Sequence, residues 1–290
     1  MRSHLRCSEP CRKHFNLKAS NASDPRPQSA KRELKTQMAK IKVKSAKEIE
    51  LIRDAGALAA ETLIRAGEMC KPGVSTLEID EFIGDYTRQH KGISACMGYH
   101  GYPRYACISI NEVVCHGIPN ANTILKDGDI VNIDITTILS GYHGDTSAMF
   151  CVGKVSDIAR ELVDTAKFCM EEGIRAAGER GAHWNDIGCA IQDIADEHGF
   201  SVVEDYCGHG IGRGFHEEPT VYHFRNYERC PFIEVGNVFT VEPMLNVGRP
   251  GTKTLADGWT AVTRDGSLSA QWEHTVVKTK DGIDILTLPR

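Results

Sequence analysis

The chain of 290 residues carries 34 Lys or Arg and 39 Asp or Glu, a formal net charge of −5, and 41% of its residues are hydrophobic. That is ample material for a core, in one large α/β domain or two ordinary ones. Eleven cysteines, an odd number scattered singly without a CxxC pair, exclude a disulfide framework and fit reduced thiols in a cytosol-like compartment.

No stretch is apolar for long enough to span a bilayer, and the N-terminus lacks the apolar middle region of a secretory signal, as expected of a soluble protein. The charge is unevenly spread. Residues 1–44 hold 12 basic and 3 acidic residues, net +9, which leaves the remaining 246 residues with 22 basic and 36 acidic, net −14. The first 44 residues also lack apolar periodicity, so they are read as a flexible basic extension ahead of a catalytic domain at 45–290. Such an arm suits association with a ribosome or other RNA, set against the simpler reading of a merely solvated, solubilising tail. Its Arg and Ser content with few acids also matches a cleaved organellar transit peptide, the alternative to a cytoplasmic location. His4, Cys7, Cys11 and His14 form a loose zinc candidate, less economical than unligated side chains in a tail.

Regular structure is expected from Ser45. Ser45 and Glu48 have capping-box spacing, and Ile49, Ile52, Ala55, Ala59 and Leu63 follow at helical intervals until Lys71-Pro72-Gly73. Ser75 and Glu78 repeat the signal for a second helix ending near His90. The next segment, SACMGYHGYPRYACISINEVVCHGIP, is dense in Gly, Pro, Tyr and Cys. On composition alone Cys96, Tyr99, Tyr102 and Cys107 are loop-packing residues; sulfur and aromatic faces together would also form a soft, polarizable wall for a thioether side chain. Two further helices are expected at Ser156–Ala177 and Asn185–His198.

The stretch Ile130 to Ser147, IVNIDITTILSGYHGDTS, reads as a strand, a turn over Ser140–Gly144 and a second strand from Asp145. Asp134 would face Asp145 across this hairpin, in surroundings that ordinarily keep apolar or neutral side chains. Two carboxylates on one face repel unless a proton or cation lies between them. Downstream, Gly208-His209-Gly210, Thr240-Val241-Glu242-Pro243 and Gln271-Trp272-Glu273-His274 each put a metal-ligand type of side chain into an apolar setting.

Five segments in order, SACMGYHGYPRYACISINEVVCHGIP, NIDITTILSGYHGDTS, GHGIGRGFHEEP, TVEPM and QWEHT, resemble type I methionine aminopeptidase over about residues 45–290. The resemblance implies an α/β pita-bread (creatinase-like) fold, with pseudo-two-fold related halves around a dinuclear metal site. Carried over position by position, the ligands are Asp134, Asp145, His209, Glu242 and Glu273, with Asp145 and Glu273 bridging, Asp134 on one ion and His209 with Glu242 on the other. Four carboxylates balance two divalent ions, and the oxygen-rich set accommodates Co, Mn, Fe or Zn. Glu242 is implied as proton acceptor, His216 as donor to the scissile carbonyl and His116 as the group orienting the amide. Cys96, Tyr99, Tyr102, Cys107, Phe215 and Trp259 would line the methionine pocket together with His116 and His216. The implied activity is removal of the initiator methionine from nascent polypeptides whose second residue is small, by a monomer without membrane attachment. A related peptidase acting before proline and a non-catalytic binding relative are the two competing readings. The first usually carries a large extra N-terminal domain, and the second typically loses ligands.

Overall fold

The computed structural model describes residues 41–290. The arm's zinc candidate at His4, Cys7, Cys11 and His14 lies outside the described residues. Residues 41–44 run against the body: Val43 bridges Asn237, and the Lys44 N–H donates to Gly236 O at 2.8 Å.

Helix α1 spans Ala46–Gly67, and α2 spans Thr76–Gln89. Both begin with the expected box, Ser45 with Glu48 and Ser75 with Glu78, each pair exchanging side-chain and backbone hydrogen bonds. Helix α1 stops before Lys71-Pro72-Gly73 because Glu68 already caps it. The strands β1 Ile93–Ser94, β2 Cys107–Ile110, β3 Val113–Cys115, β4 Ile130–Leu139 and β5 Tyr142–Cys151 follow. The plan then repeats with two helices, α3 Asp157–Gly178 and α4 Trp184–His198, ahead of a second strand set. That set comprises β6 Ser201–Val202, β7 Gly208–Gly210, β8 Glu217–Val221, β9 Val238–Val241, β10 Met244–Asn246, β11 Thr252–Thr254, β12 Ala261–Thr263, β13 Ser269–Gln271, β14 Glu273–Lys278 and β15 Ile283–Ile285.

Among the described residues one nine-stranded sheet has the order β1-β4-β5-β14-β9-β7-β8, with β2 added to β4 and β15 to β14. Strands of the two halves meet where β5 pairs with β14. Each helix pair seals its own half. Ala59, Leu63, Ile79 and Ile83 pack on Ile108, Val131, Ile133 and Ile135, while Leu162, Met170, Ile187 and Ile191 pack on Phe239, Val241 and Val276. Each of the Leu, Ile, Val, Met and Phe side chains contributes about 1.5–3 kcal/mol on leaving water.

The period of two in β4 separates scaffold from chemistry. Val131, Ile133 and Ile135 join the helix-side core, so Asn132, Asp134 and Thr136 point to the other face. Helix and strand come unusually close at Gly56 and Gly144, where a Cβ on Gly144 would overlap the Gly56 backbone. That approach presses the Asp145 end of β5 onto α1.

The hairpin differs from the sequence expectation in one respect. Its turn has two residues, Ser140 and Gly141, at φ 52° and 78°, not the five residues Ser140–Gly144. Left-handed positions at both turn residues match the natural twist of paired strands. They fix a register in which Asp134 lies opposite Ser147 and Asp145 opposite Thr136. The two aspartates therefore share a face diagonally instead of facing one another.

Candidate metal centre and substrate pocket

Three strands place the carboxylates. Ser147, opposite Asp134 on β4, is opposite Glu273 on β14, so Asp134 and Glu273 occupy one rung of the sheet on either side of a small hydroxyl. Asp145 sits one rung along on the same face. On β9, Val241 pairs with His274, which brings Glu242 alongside Glu273. His209 comes from β7, which pairs with β9.

Ligand-type atoms of Asp145, His209 and Glu273 all lie within 4.8 Å of one another, and all three residues are buried. His209 Nε2 is 3.7 Å from both Asp145 Oδ2 and Glu242 Oε1. Glu242 thus joins the cluster through His209, and Asp134 joins it along the rung. His209 Nδ1 is 3.0 Å from Gly210 O, a contact that requires the proton on Nδ1 and leaves the Nε2 lone pair free. Burial lowers the imidazole pKa to about 3, so the ring is neutral.

The carboxylates are pushed the other way. Burial raises Asp134 to about 7 and Glu242 to about 8. Asp145 and Glu273 rise well above the usual carboxylate range through burial and through the charges of their acidic neighbours. Among the described residues no Lys or Arg makes a salt bridge with any of the four, and Glu273 Oε1 is buried without a hydrogen-bond partner. Oxygen atoms buried at such cost, with one neutral imidazole aimed among them, fit divalent cations.

Neighbouring side chains hold the donors in place, and sequence reasoning missed them. Thr240 Oγ1 donates to Glu242 Oε1 at 2.6 Å and accepts the His209 N–H at 2.9 Å. Thr136 Oγ1 donates to Asp145 Oδ1 at 2.8 Å, and Gln271 Nε2 to Glu242 Oε2 at 3.3 Å. The Glu242 N–H reaches Nε2 of His223 at 3.1 Å, a ring kept neutral by burial. Thr136 shares a face of β4 with Asp134 two residues away, and Thr240 and Gln271 each stand two residues ahead of Glu242 and Glu273, a spacing that could have flagged them. Nothing near His223 in sequence marks it.

Beside the cluster, Cys96, Tyr102 and Cys107 form a small buried group against Ile118, Phe215 and Trp259. Tyr102 meets Trp259 edge-on at 5.1 Å, and its hydroxyl donates to Gly117 O at 2.9 Å. Tyr99 lies 4.9 Å from the Phe215 ring, and its hydroxyl shares a 2.7 Å hydrogen bond with His216 Nδ1. His216 and His209 are 4.2 Å apart, so pocket and cluster adjoin. His116 stands 6.1 Å from Trp259 and 5.4 Å from Tyr206. Its φ of 57° is a left-handed conformation that costs a non-glycine residue about 1–3 kcal/mol and is retained mostly at functional positions. All thirteen residues singled out in the sequence therefore fall in one neighbourhood of the second face of the sheet and its loops.

The model of metallopeptidase family M24 matches residues 50–280. The methionine aminopeptidase of Escherichia coli (strain K12) is 51% identical over 249 residues, covering 86% of this chain and 94% of that protein. A crystal structure of methionine aminopeptidase from Rickettsia prowazekii superposes with a TM-score of 0.83 at 46% identity, covering 86% of this chain and 100% of that one. The Xaa-Pro dipeptidase of Bacillus anthracis shares only the fold, with a TM-score of 0.68 at 20% identity over 87% of this chain and 63% of that one. With its pita-bread architecture, this chain belongs to metallopeptidase family M24 and, within it, to the methionine aminopeptidases.

Proposed function

We propose that the chain removes the initiator methionine from nascent polypeptides with a small second residue, using two divalent ions held by Asp134, Asp145, His209, Glu242 and Glu273. The observation that carries this is the meeting of Asp145, His209 and Glu273 within 4.8 Å, next to a pocket of sulfur and aromatic side chains. Bound divalent ions supply Lewis acidity and acidify a water near neutral pH.

The chain's own groups do the rest. Glu242, held by the Thr240 hydroxyl, receives a proton from the attacking water and passes it to the leaving amine. The Tyr99 hydroxyl can donate to His216 Nδ1, which keeps the proton on Nε2 for the scissile carbonyl oxygen as charge develops there. A preorganised donor of this kind contributes about 2.7–4 kcal/mol. His116, pinned between Tyr206 and Trp259, orients the scissile amide. Cys96, Tyr99, Tyr102, Cys107, Phe215 and Trp259 receive the methionine side chain, whose polarizable thioether suits sulfur and aromatic surfaces. The protein acts as a monomer in the cytoplasm, in keeping with its free thiols. Of the basic arm read at 1–44, residues 1–40 serve for ribosome contact, since Val43 and Lys44 are bound to the body.

Turnover of Met-Ala-Ser against Xaa-Pro dipeptides tests the assignment. Release of methionine from the first, with Glu242→Ala inactive, is the expected result; cleavage confined to Xaa-Pro, or full activity of Glu242→Ala, would overturn it.

A further inference from the structure

The loop that carries Phe215 and His216 is tied to the first residues of the body by one buried ion pair. Lys44 Nζ lies 2.6 Å from Glu217 Oε2, with only 6% and 11% of the two side chains exposed. Lys42 Nζ approaches the same oxygen at 3.6 Å from solvent. The other oxygen, Oε1, accepts the Gly214 N–H at 2.9 Å. Glu217 therefore joins Lys44 to the backbone on the far side of His216.

Several contacts make this a fixed geometry. A Cβ on Gly212 would stand 2.6 Å from Lys44 Nζ, so the loop is wound directly onto the ammonium group. Gly212 O also accepts the His143 N–H at 2.8 Å. At the other end, Lys44 is anchored by its own N–H to Gly236 O and, through its neighbour Val43, to Asn237. Those residues immediately precede β9, the strand that ends at Val241, next to Glu242.

We infer that Lys44 is a positioning residue for His216, acting through Glu217 and the 212–217 loop. Removing one partner of a buried pair leaves the other charge uncompensated, and the loop then relaxes toward water. His216 would lose its alignment on the scissile carbonyl, and a displacement of about 1 Å costs roughly 10²-fold in rate. Lys42, being exposed, carries little of this. The inference rests on the role of His216 proposed above.

The test is a double-mutant cycle on the full chain, with Lys44→Met, Glu217→Gln, His216→Ala and the combinations, assayed for kcat and KM on Met-Ala-Ser with saturating metal. Lys44→Met is expected to lower kcat at least tenfold with KM changed less than threefold. In the His216→Ala background the same substitution should change kcat less than twofold. Glu217→Gln, which keeps an acceptor for the Gly214 N–H, should reproduce the kcat loss if Lys44→Met fails to fold. An equal factor in both backgrounds, or undiminished kcat in Lys44→Met or in a folded Glu217→Gln, overturns the positioning role. Undiminished activity of His216→Ala alone would instead remove the role given to His216.

Discussion

The Thr240 hydroxyl donates a 2.6 Å hydrogen bond to Glu242 Oε1, two residues further along the chain. Because that hydroxyl also accepts the His209 N–H, one buried side chain orients two candidate ligands. Thr240→Val keeps the shape and removes the bond. Metal affinity, measured by calorimetric titration of the chelated protein, should fall about 10–100-fold. Thr240→Ser should bind nearly as well as the parent.

Metal-free protein should lose stability as pH rises from about 4 to 8. Asp134 near 7 and Glu242 near 8 bind their protons more tightly folded than unfolded, where carboxylates titrate near 4. The folded state thus carries more protons throughout that window, and deprotonation favours unfolding. Melting temperature followed across this range in chelator should decline. Adding Mn should raise it by an increment that grows with pH. A pH-independent melting temperature in chelator would argue that the carboxylates are not buried together.

Tyr102→Phe removes the hydroxyl that caps Gly117 O beside His116. Gly117 O keeps the Ile108 N–H as a donor at 3.0 Å, so the substitution costs only the net value of one hydrogen bond, about 0.5–1.5 kcal/mol, readable by urea unfolding. KM for methionyl peptides should change little, because the ring surface toward Trp259 remains.

Gly144→Ala places a methyl group against the Gly56 backbone, between helix α1 and the strand bearing Asp145. Overpacking of a helix–sheet contact costs about 1–3 kcal/mol, and backbone cannot rotate away as a side chain can. A lower melting temperature with weaker metal binding is expected, since the displaced residue adjoins Asp145.

Much of this was legible in the residues. The Ser45 and Ser75 boxes announced both helices because capping is local, and the composition of Ile130 to Leu139 announced β4 as a strand. The register of the hairpin was less accessible: Gly144 suggests a turn, yet the strand continues through it because helix α1 needs a residue without a side chain at that point. The five candidate ligands stood out through family spacing. His223 and the Lys44–Glu217 pair did not, since their partners are 19 and 173 residues away in the chain and meet only after the sheet is assembled.

The central claim, that buried carboxylates here exist to hold a pair of cations, is tested most directly by anomalous diffraction from crystals of the Mn-loaded protein. Two peaks are expected, one beside Asp134 and one beside His209 and Glu242, both touching Asp145 and Glu273. Peaks elsewhere, or no anomalous signal among these five side chains at saturating Mn, would contradict it.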